Sequence, residues 1–575
     1  MRQESWASKI TRRGFLKASV CGLGSIAVIS LLAACAQQPA AAPTAAPAAE
    51  PTKAPAAAPT AAPTQVPAPT TAPAATMAPT QAPAPTVTPA PAAATPTTAA
   101  AAQGARMTFA TRAGGPKNHS DPATQTGMDD MYAFVYDRLV ALNNNMEPVP
   151  ELAESWEVND TADDWIFHLR KGVTFHNGKP FTAKDAVYTV TRVLNPDLAS
   201  AGRGLFRGMG PDEVLAVDDN TLRFKLKAGF SGLIEALCER HLAVVSSDVP
   251  DPTKEFMGTG PYKAADWQVG KRLLVQRYDG HWRGPAKIPE VDVVSINEPT
   301  ARVNALLAGQ VDVISECPFT AVAQIKDNPN IKVLEVPSGG HFNLVMQLDQ
   351  PPFDKIEVRK AFRLLADRPA MVDFALAGHG TPGDDNPVGP TVRFHIDTPA
   401  VKYDVNGAKA LLASAGFPDG VDVDLYTTDN LSGMVEVAVA FKESAAAGGV
   451  RVNLHQIPGE TYWTDIWPKK PFMVGPWFSR TASQLLNLAY YSKAPWNEDH
   501  FFSKEFDDLL TAAAAAGDVK KQAEYYGKCQ QMLVEKGGDV VCFYLNTIAA
   551  SRANVKNVNL HPSQWPWKPW EFEFA

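Results

Sequence analysis

Between positions 36 and 103 lies a run of 68 residues, of which 58 are Ala, Pro or Thr. It holds 16 of the chain's 48 prolines and only two charges, Glu50 and Lys53. With almost nothing large and apolar in it, the run cannot enclose a core, so it divides the 575-residue chain in two. From Pro39 to Pro67 a proline recurs at every fourth position, which favours an extended, polyproline-like chain. At about 3.1 Å per residue such a tether reaches at most roughly 200 Å. On its carboxyl side, residues 104–575 are numerous enough for two lobes with separate cores. Charge divides as well. Residues 1–34 carry five Lys/Arg and one Glu, so they contribute +4 to the overall −8 and leave −12 for the rest. An acidic domain is a poor match for a phosphate backbone, which argues against nucleic acid as a partner.

Ahead of the tether stands T-R-R-G-F-L-K at 11–17, then an uncharged stretch to position 34 interrupted by Gly22 and Gly24. A charged segment, a short apolar run and small residues form a secretory signal. The segment resembles a twin-arginine export signal, with Arg12 and Arg13 as the pair. L-A-A-C at 32–35 resembles the lipobox of bacterial lipoproteins, in which the cysteine, here Cys35, is acylated and becomes the first residue. The organisation expected is a signal over 1–34 and a lipid-anchored linker over 35–105, holding an extracytoplasmic domain to a membrane. The domain keeps Cys238, Cys317, Cys529 and Cys542, whose three possible pairings the sequence leaves open. There is no C-x-x-C, which argues against structural zinc.

Beyond position 105 the pattern is mixed α/β. Residues 107–111, 165–169, 221–226, 272–277, 290–297, 311–314 and 540–545 read as strands. Helical spacing marks 129–142, 183–194, 301–308, 355–365, 407–415, 431–445, 504–514 and 519–535. Thr182 is an N-cap for the second of these, with Asp185 adding charge to its first turn. The strand, helix and strand over 290–314 suggest a parallel crossover.

Several strings occur in a fixed order: A-E-S-W at 153–156, L-R-K-G-V-T-F-H-N-G-K-P-F-T-A-K-D-A-V at 169–187, G-T-G-P-Y-K at 258–263, A-R-V-N-A-L-L-A-G-Q-V-D-V at 301–313, P-P-F-D at 351–354 and V-R-K-A-F at 358–362. Together they resemble the extracytoplasmic solute-binding proteins of ABC importers, family 5, which contains the dipeptide, oligopeptide and nickel-chelate binders. The resemblance runs from about 107 to 557. It implies a two-lobed, periplasmic-binding-protein-like α/β fold of the large type with an inserted third subdomain. Lobe one would take 106–145, 257–346 and 546–575, the insertion 146–256, and lobe two 347–545. Crossings near 342–347 and 543–546 would form the hinge. The activity implied is capture of a peptide or peptide-like solute and delivery to permease and ATPase subunits by a monomer. The alternatives are an anionic non-peptide solute (an opine, a metal chelate or a sugar-acid conjugate) and a ligand sensor with the same fold. No cofactor and no metal are implied.

In peptide-binding relatives a Trp in lobe two is followed three residues later by an Asp that meets the ligand's α-ammonium. Here the segment reads Trp477, Phe478, Ser479, Arg480, so a permanent cation replaces the acid. Guanidinium suits a carboxylate or phosphate. Arg480 therefore meets an anionic ligand group, pairs with a protein acid such as Glu498 or Asp499, or lies solvated at the surface. The turn after Asp121-Pro122 lines the site in relatives and here offers the neutral Gln125 and Thr126. Tyr462, Trp463, Trp477 and Phe478 are ring candidates for the pocket, with core packing the alternative for about half of the aromatics in this region. Gln347, near the crossing, is either a ligand contact or structural. Trp565, Trp567 and Trp570 are expected to pack the C-terminus against lobe one, and Asp384 and Asp385 to be solvated in a Gly/Pro loop. No catalytic constellation is present: G-x-S-x-G, H-E-x-x-H and Walker patterns are absent, and no residue is assigned a catalytic role.

Overall fold

The computed structural model describes residues 106–112, 119–124, 129–206, 208–429, 431–494, 496–563 and 568–575. The signal with Arg12 and Arg13, Cys35, the tether, Gln125, Thr126, Trp565 and Trp567 lie outside these described residues. Strand β1 (Arg106–Thr111) opens the fold. A four-stranded antiparallel sheet comes next, built from β2 (Ala153–Val158), β3 (Asp164–Leu169), β4 (Val214–Asp218) and β5 (Thr221–Lys225) in the order β2-β3-β5-β4. Helix α1 (Ala183–Leu194) covers it. Its buried Ala183, Ala186, Val190 and Val193 recur at helical spacing and pack with Trp165, Phe167, Leu222 and Phe224. The Thr182 N–H donates to Asp185 at 2.9 Å, so the expected cap is present and the helix spans the residues its periodicity marks.

The residues 129–142, expected as one helix, are split into a helix Asp129–Val135 and a strand Val140–Leu142. The cause is tertiary. The Val135 carbonyl accepts the Gly260 N–H at 2.9 Å, which diverts it from the next helical turn. Asp137 then takes the Thr259 hydroxyl at 2.8 Å and the Trp282 indole at 3.1 Å.

The chain continues through β6 (Tyr262–Gln268), β7 (Arg272–Arg277), β8 (Glu290–Ser295), helix α2 (Pro299–Leu307) and β9 (Val313–Ile314). β1 lies between β8 and β9 and runs parallel to both, with Phe109 opposite Val293 and Val313. The expected parallel crossover is therefore found, with β1 enclosed by it. Met107, Phe109 and Val293 face one core, and Ala110, Val303 and Ile314 face another.

Two long strands join this part to the rest: β10 (Ile331–Met346) and, at the far end of the chain, a strand over Asp539–Arg552. Between them come α3 (Ile356–Leu365), β11 (Val421–Thr427), β12 (Val450–Gln456), β13 (Phe472–Trp477), α4 (Ala482–Ala489), α5 (Lys504–Ala514) and α6 (Val519–Lys536), after which the Asp539–Arg552 strand is β14. The large sheet runs β12-β11-β13-β10-β14-β9-β1-β8-β7-β6. β10 gains a second neighbour partway along its length. Its first half pairs with β14 from Ile331↔Arg552 to Pro337↔Asn546, the register shifts between Pro337 and His341, and from His341 onward it also pairs with β13. Residues 342 and 344–346 already pack in a separate core with α3 and β13. The register break thus falls earlier in the chain than the crossing expected near 342–347. No helix among the described residues is long and apolar enough to cross a membrane. Cys238, Cys317, Cys529 and Cys542 are all buried and unbonded, so none of the pairings left open by the sequence forms here.

Candidate functional site

β13 is buried at all six residues and sits between β10 and β11, so the segment that leaves its carboxyl end emerges where open α/β sheets receive ligands. That segment is Phe478, Ser479, Arg480 and Thr481. Its root is held by the Trp477 indole, which donates to Glu498 Oε1 at 2.7 Å. Its far end is the N-cap of α4: Thr481 Oγ1 accepts the Gln484 N–H at 3.3 Å and donates to Glu235 Oε2 at 2.5 Å. Gln484 Nε2 donates to Glu239 at 3.4 Å. Glu235 and Glu239 lie about 245 positions earlier in the chain, so this corner joins two distant parts of it. The same two parts meet again where Ser231 N–H donates to the Ala514 carbonyl at 2.7 Å and Gly517 N–H to the Asp160 carbonyl at 2.9 Å.

Arg480 is half-buried, with its Nε enclosed and without an acceptor. Burial lowers its pKa from the ordinary value, while the nearby Glu239 charge opposes that shift. No carboxylate oxygen among the described residues lies within 4.0 Å of its guanidinium, so the Glu239 interaction is through space. Glu239 is pushed up by burial, but the cations Arg240, His241 and Arg480 outweigh this and hold it below the usual carboxylate range. Glu235 is raised by burial, partly offset by the Thr481 hydroxyl. The hydroxyls of Ser479 and Thr391 are also enclosed without partners among the described residues. Both lie within 4 Å of the point where a Cβ on Gly339 would stand, at 3.3 and 3.7 Å respectively.

The other residues marked from the sequence are distributed differently. Trp477 is 1% exposed and part of the core shared by β10, α3 and β13. Tyr462 is fully buried, its hydroxyl donating to the Val474 carbonyl at 2.6 Å. Gln347 is 2% exposed and its amide donates to the Pro468 carbonyl at 2.5 Å. The structure gives these three core and structural contacts. Trp463, half-buried, meets Tyr462 and Trp467 edge-on, and Phe478 leans on the same core. Glu498 and Asp499, one of the alternatives held open for Arg480, do not meet it: both are fully buried elsewhere. Glu498 accepts from the Trp467 and Trp477 indoles and Asn343, and Asp499 from the Gly538 and Phe501 N–H groups. Asp385 is corrected as well. It is 1% exposed, bonded by Arg368 at 2.5 Å, because the loop carrying it packs on β14. Trp570 packs on His281 and Arg283. Sequence reading missed Glu235, Glu239 and Thr391, and no local motif flags them.

Residues 147–497 match the family described as bacterial extracellular solute-binding proteins, family 5 Middle. Among curated relatives, heme-binding protein A of Haemophilus influenzae is 26% identical over 434 residues, covering 69% of this chain and 79% of that one. Glutathione-binding protein GsiB of Escherichia coli O157:H7 is 25% identical over 458 residues, covering 74% and 86%. Among solved structures, HbpA2 from Haemophilus parasuis superposes with a TM-score of 0.73 at 21% identity, covering 82% of this chain and all of that one. The periplasmic murein tripeptide binding protein MppA, in its unliganded open form, gives 0.71 at 21%, covering 82% and 98%. These structural likenesses establish the two-lobed α/β fold.

Proposed function

This chain belongs to the bacterial extracellular solute-binding proteins of family 5, and we propose that it captures a peptide or peptide-like solute for an ABC importer. In this reading the solute lies between lobe two (347–545) and the body made of lobe one (106–145, 257–346, 546–575) with its insertion (146–256). The four hydrophobic clusters, which fall largely within these segments, support the division. The single observation that carries the reading is the corner where Arg480 and Thr481, at the end of a central strand, face Glu235 and Glu239 of the insertion. Capture draws its free energy from preferring the closed arrangement of the lobes, with no chemical step. Relatives named for glutathione add weight to a peptide-like cargo. The sequence features at Arg12, Arg13 and Cys35 support export by the twin-arginine route and a lipid anchor outside the cytoplasmic membrane, from which the solute passes to a permease.

Native mass spectrometry of the gently purified full chain, followed by denaturation, tests this reading. The expected outcome is release of a small peptide or peptide conjugate. A released non-peptide acid would keep the binding role and move the cargo to the second reading, an anionic non-peptide solute, which the acceptor-free Arg480 also favours.

A further inference from the structure

We propose that Asp424, Asn453 and His455 form a binding site for a divalent first-row transition cation on the outer face of the large sheet. The strand pattern builds it. Along β11 the buried Val421, Val423 and Leu425 alternate with Asp422, Asp424 and Tyr426. Along β12 the buried Val450 and Val452 alternate with Arg451, Asn453 and His455. The two strands pair in parallel, Asp424 beside Asn453 and Tyr426 beside His455, so this polar set shares one face at the β12 edge of the sheet. There Asp424 Oδ1, Asn453 Nδ2 and His455 Nε2 form a triangle with sides of 2.8, 2.8 and 3.0 Å. The Asp424 and His455 side chains are 56% and 35% exposed, so an ion reaches them from solvent.

No assignment of hydrogens satisfies that triangle. A carboxylate oxygen only accepts, an amide nitrogen only donates, and one imidazole nitrogen does one or the other. If Nε2 donates to Asp424, it faces the Asn453 donor; if it accepts from Asn453, it faces the carboxylate. A half-turn of the Asn453 amide sets its oxygen against that of Asp424 instead. Asp424 is charged, since His455 and then Asn453 hold it below the usual carboxylate range. A cation removes the conflict, because imidazole, carboxylate and amide oxygen can all point a lone pair at it. The size fits as well. Ligands at right angles around a cation about 2.1 Å away stand about 3.0 Å apart, whereas tetrahedral ligands stand roughly 3.4 Å apart. The triangle thus matches one face of an octahedron, with the other positions left to water. Imidazole in the set selects first-row ions such as Ni2+ over Mg2+. Tyr426 stacks on the His455 ring at 4.8 Å and sets its plane. Arg451 is engaged by Asp422 at 2.7 and 2.8 Å. Lys470, 5.3 Å from the Tyr426 ring centre, also acts on Asp424 through its charge and so opposes the cation.

Isothermal titration of the full chain with nickel(II) chloride, and with magnesium chloride for comparison, tests the site, with Tm as a second readout. The expected result is a Ni2+ binding event that is missing from His455→Ala and at least tenfold weaker in Asp424→Asn. Lys470→Gln should tighten it severalfold, and Asn453→Asp, which supplies a carboxylate oxygen, by tenfold or more. Ni2+ should raise the Tm of the parent and leave that of His455→Ala unmoved, because the ion ties the two strands together only where all three donors stand. A cluster serving only to hydrogen-bond the strands predicts instead that Asn453→Asp lowers the Tm with or without Ni2+. That result, no Ni2+ binding by the parent, binding undiminished in His455→Ala, or equal affinity for Mg2+ would overturn the site. Should His455→Ala fail to fold, His455→Phe keeps the ring stack and reads the same loss.

Discussion

Asn343 offers one amide to two buried acids, its Nδ2 donating to Glu498 at 3.0 Å and to Asp539 at 2.9 Å. The Tyr490 hydroxyl also bonds Asp539. Burial pushes Glu498 up to about 7, with the Asp539 charge adding to it, and pushes Asp539 up to about 8, with Asp499 adding. Asp499 rises to about 7, again chiefly through burial. Free carboxyls titrate near 4, so the folded protein holds these protons more tightly than the unfolded chain does. The stability they contribute is whole below about 4 and is lost as the pH rises through 7 and 8. Calorimetry is expected to give a Tm that falls between about pH 5 and pH 8, with Asp539→Asn flattening the fall; an unaltered slope would exclude this cluster as its source. Little at this scale was legible in the sequence. The position of Arg480 could be found, because the Trp477 segment carries it, but its surroundings could not. Glu498 lies only 18 positions away yet enters the core behind β13, whereas Glu239 reaches the corner from the insertion.

Elements were easier to read where the hydrophobic stripe decides their packing. α1 agrees with its periodicity because its cap, its stripe and its covering sheet all favour the same boundaries. The failure at 129–142 came from backbone partners far away in the chain. Gly258 and Gly260 press on the end of the short helix there, and a Cβ on Gly258 would stand 2.1 Å from the Val135 carbonyl oxygen. Gly258→Ala is therefore expected to destabilise the protein by about 3 kcal/mol, at the upper end of overpacking costs. Denaturant titration checks this, and a midpoint equal to that of the parent would mean that the contact yields easily. β11, β12 and β13 went unmarked from the sequence. β13 is buried at every position, so it has no alternation to read, and only its place between β10 and β11 explains F-M-V-G-P-W as a strand.

At the scale of the whole molecule, the stretches 159–239 and 481–517 touch through main chain as much as through side chains. Gly517 lies so close to the Asn159 carbonyl that a Cβ there would stand 2.0 Å from its oxygen. Gly517→Ala should hold the lobes slightly apart, so the expected outcome is faster solute release in stopped-flow experiments, by tenfold or more, with a Tm within a few degrees of the parent. Unchanged release would show that this contact plays no part in closure. The two-lobed plan was legible because the order of the motifs carries it, while the place where the register of β10 shifts and it takes a second neighbour was not, since no residue type announces a register shift. The four thiols have a consequence of their own. Burial raises each above the ordinary thiol value, Cys317 to about 11 and Cys529 and Cys542 to about 12. Thiolate, the form that oxidants attack, is thus scarce and walled off. With none of these four thiols bonded or reachable, the described residues need no disulfide to hold their fold, so it can be finished on the reducing side of a membrane and serve unchanged on the oxidising side.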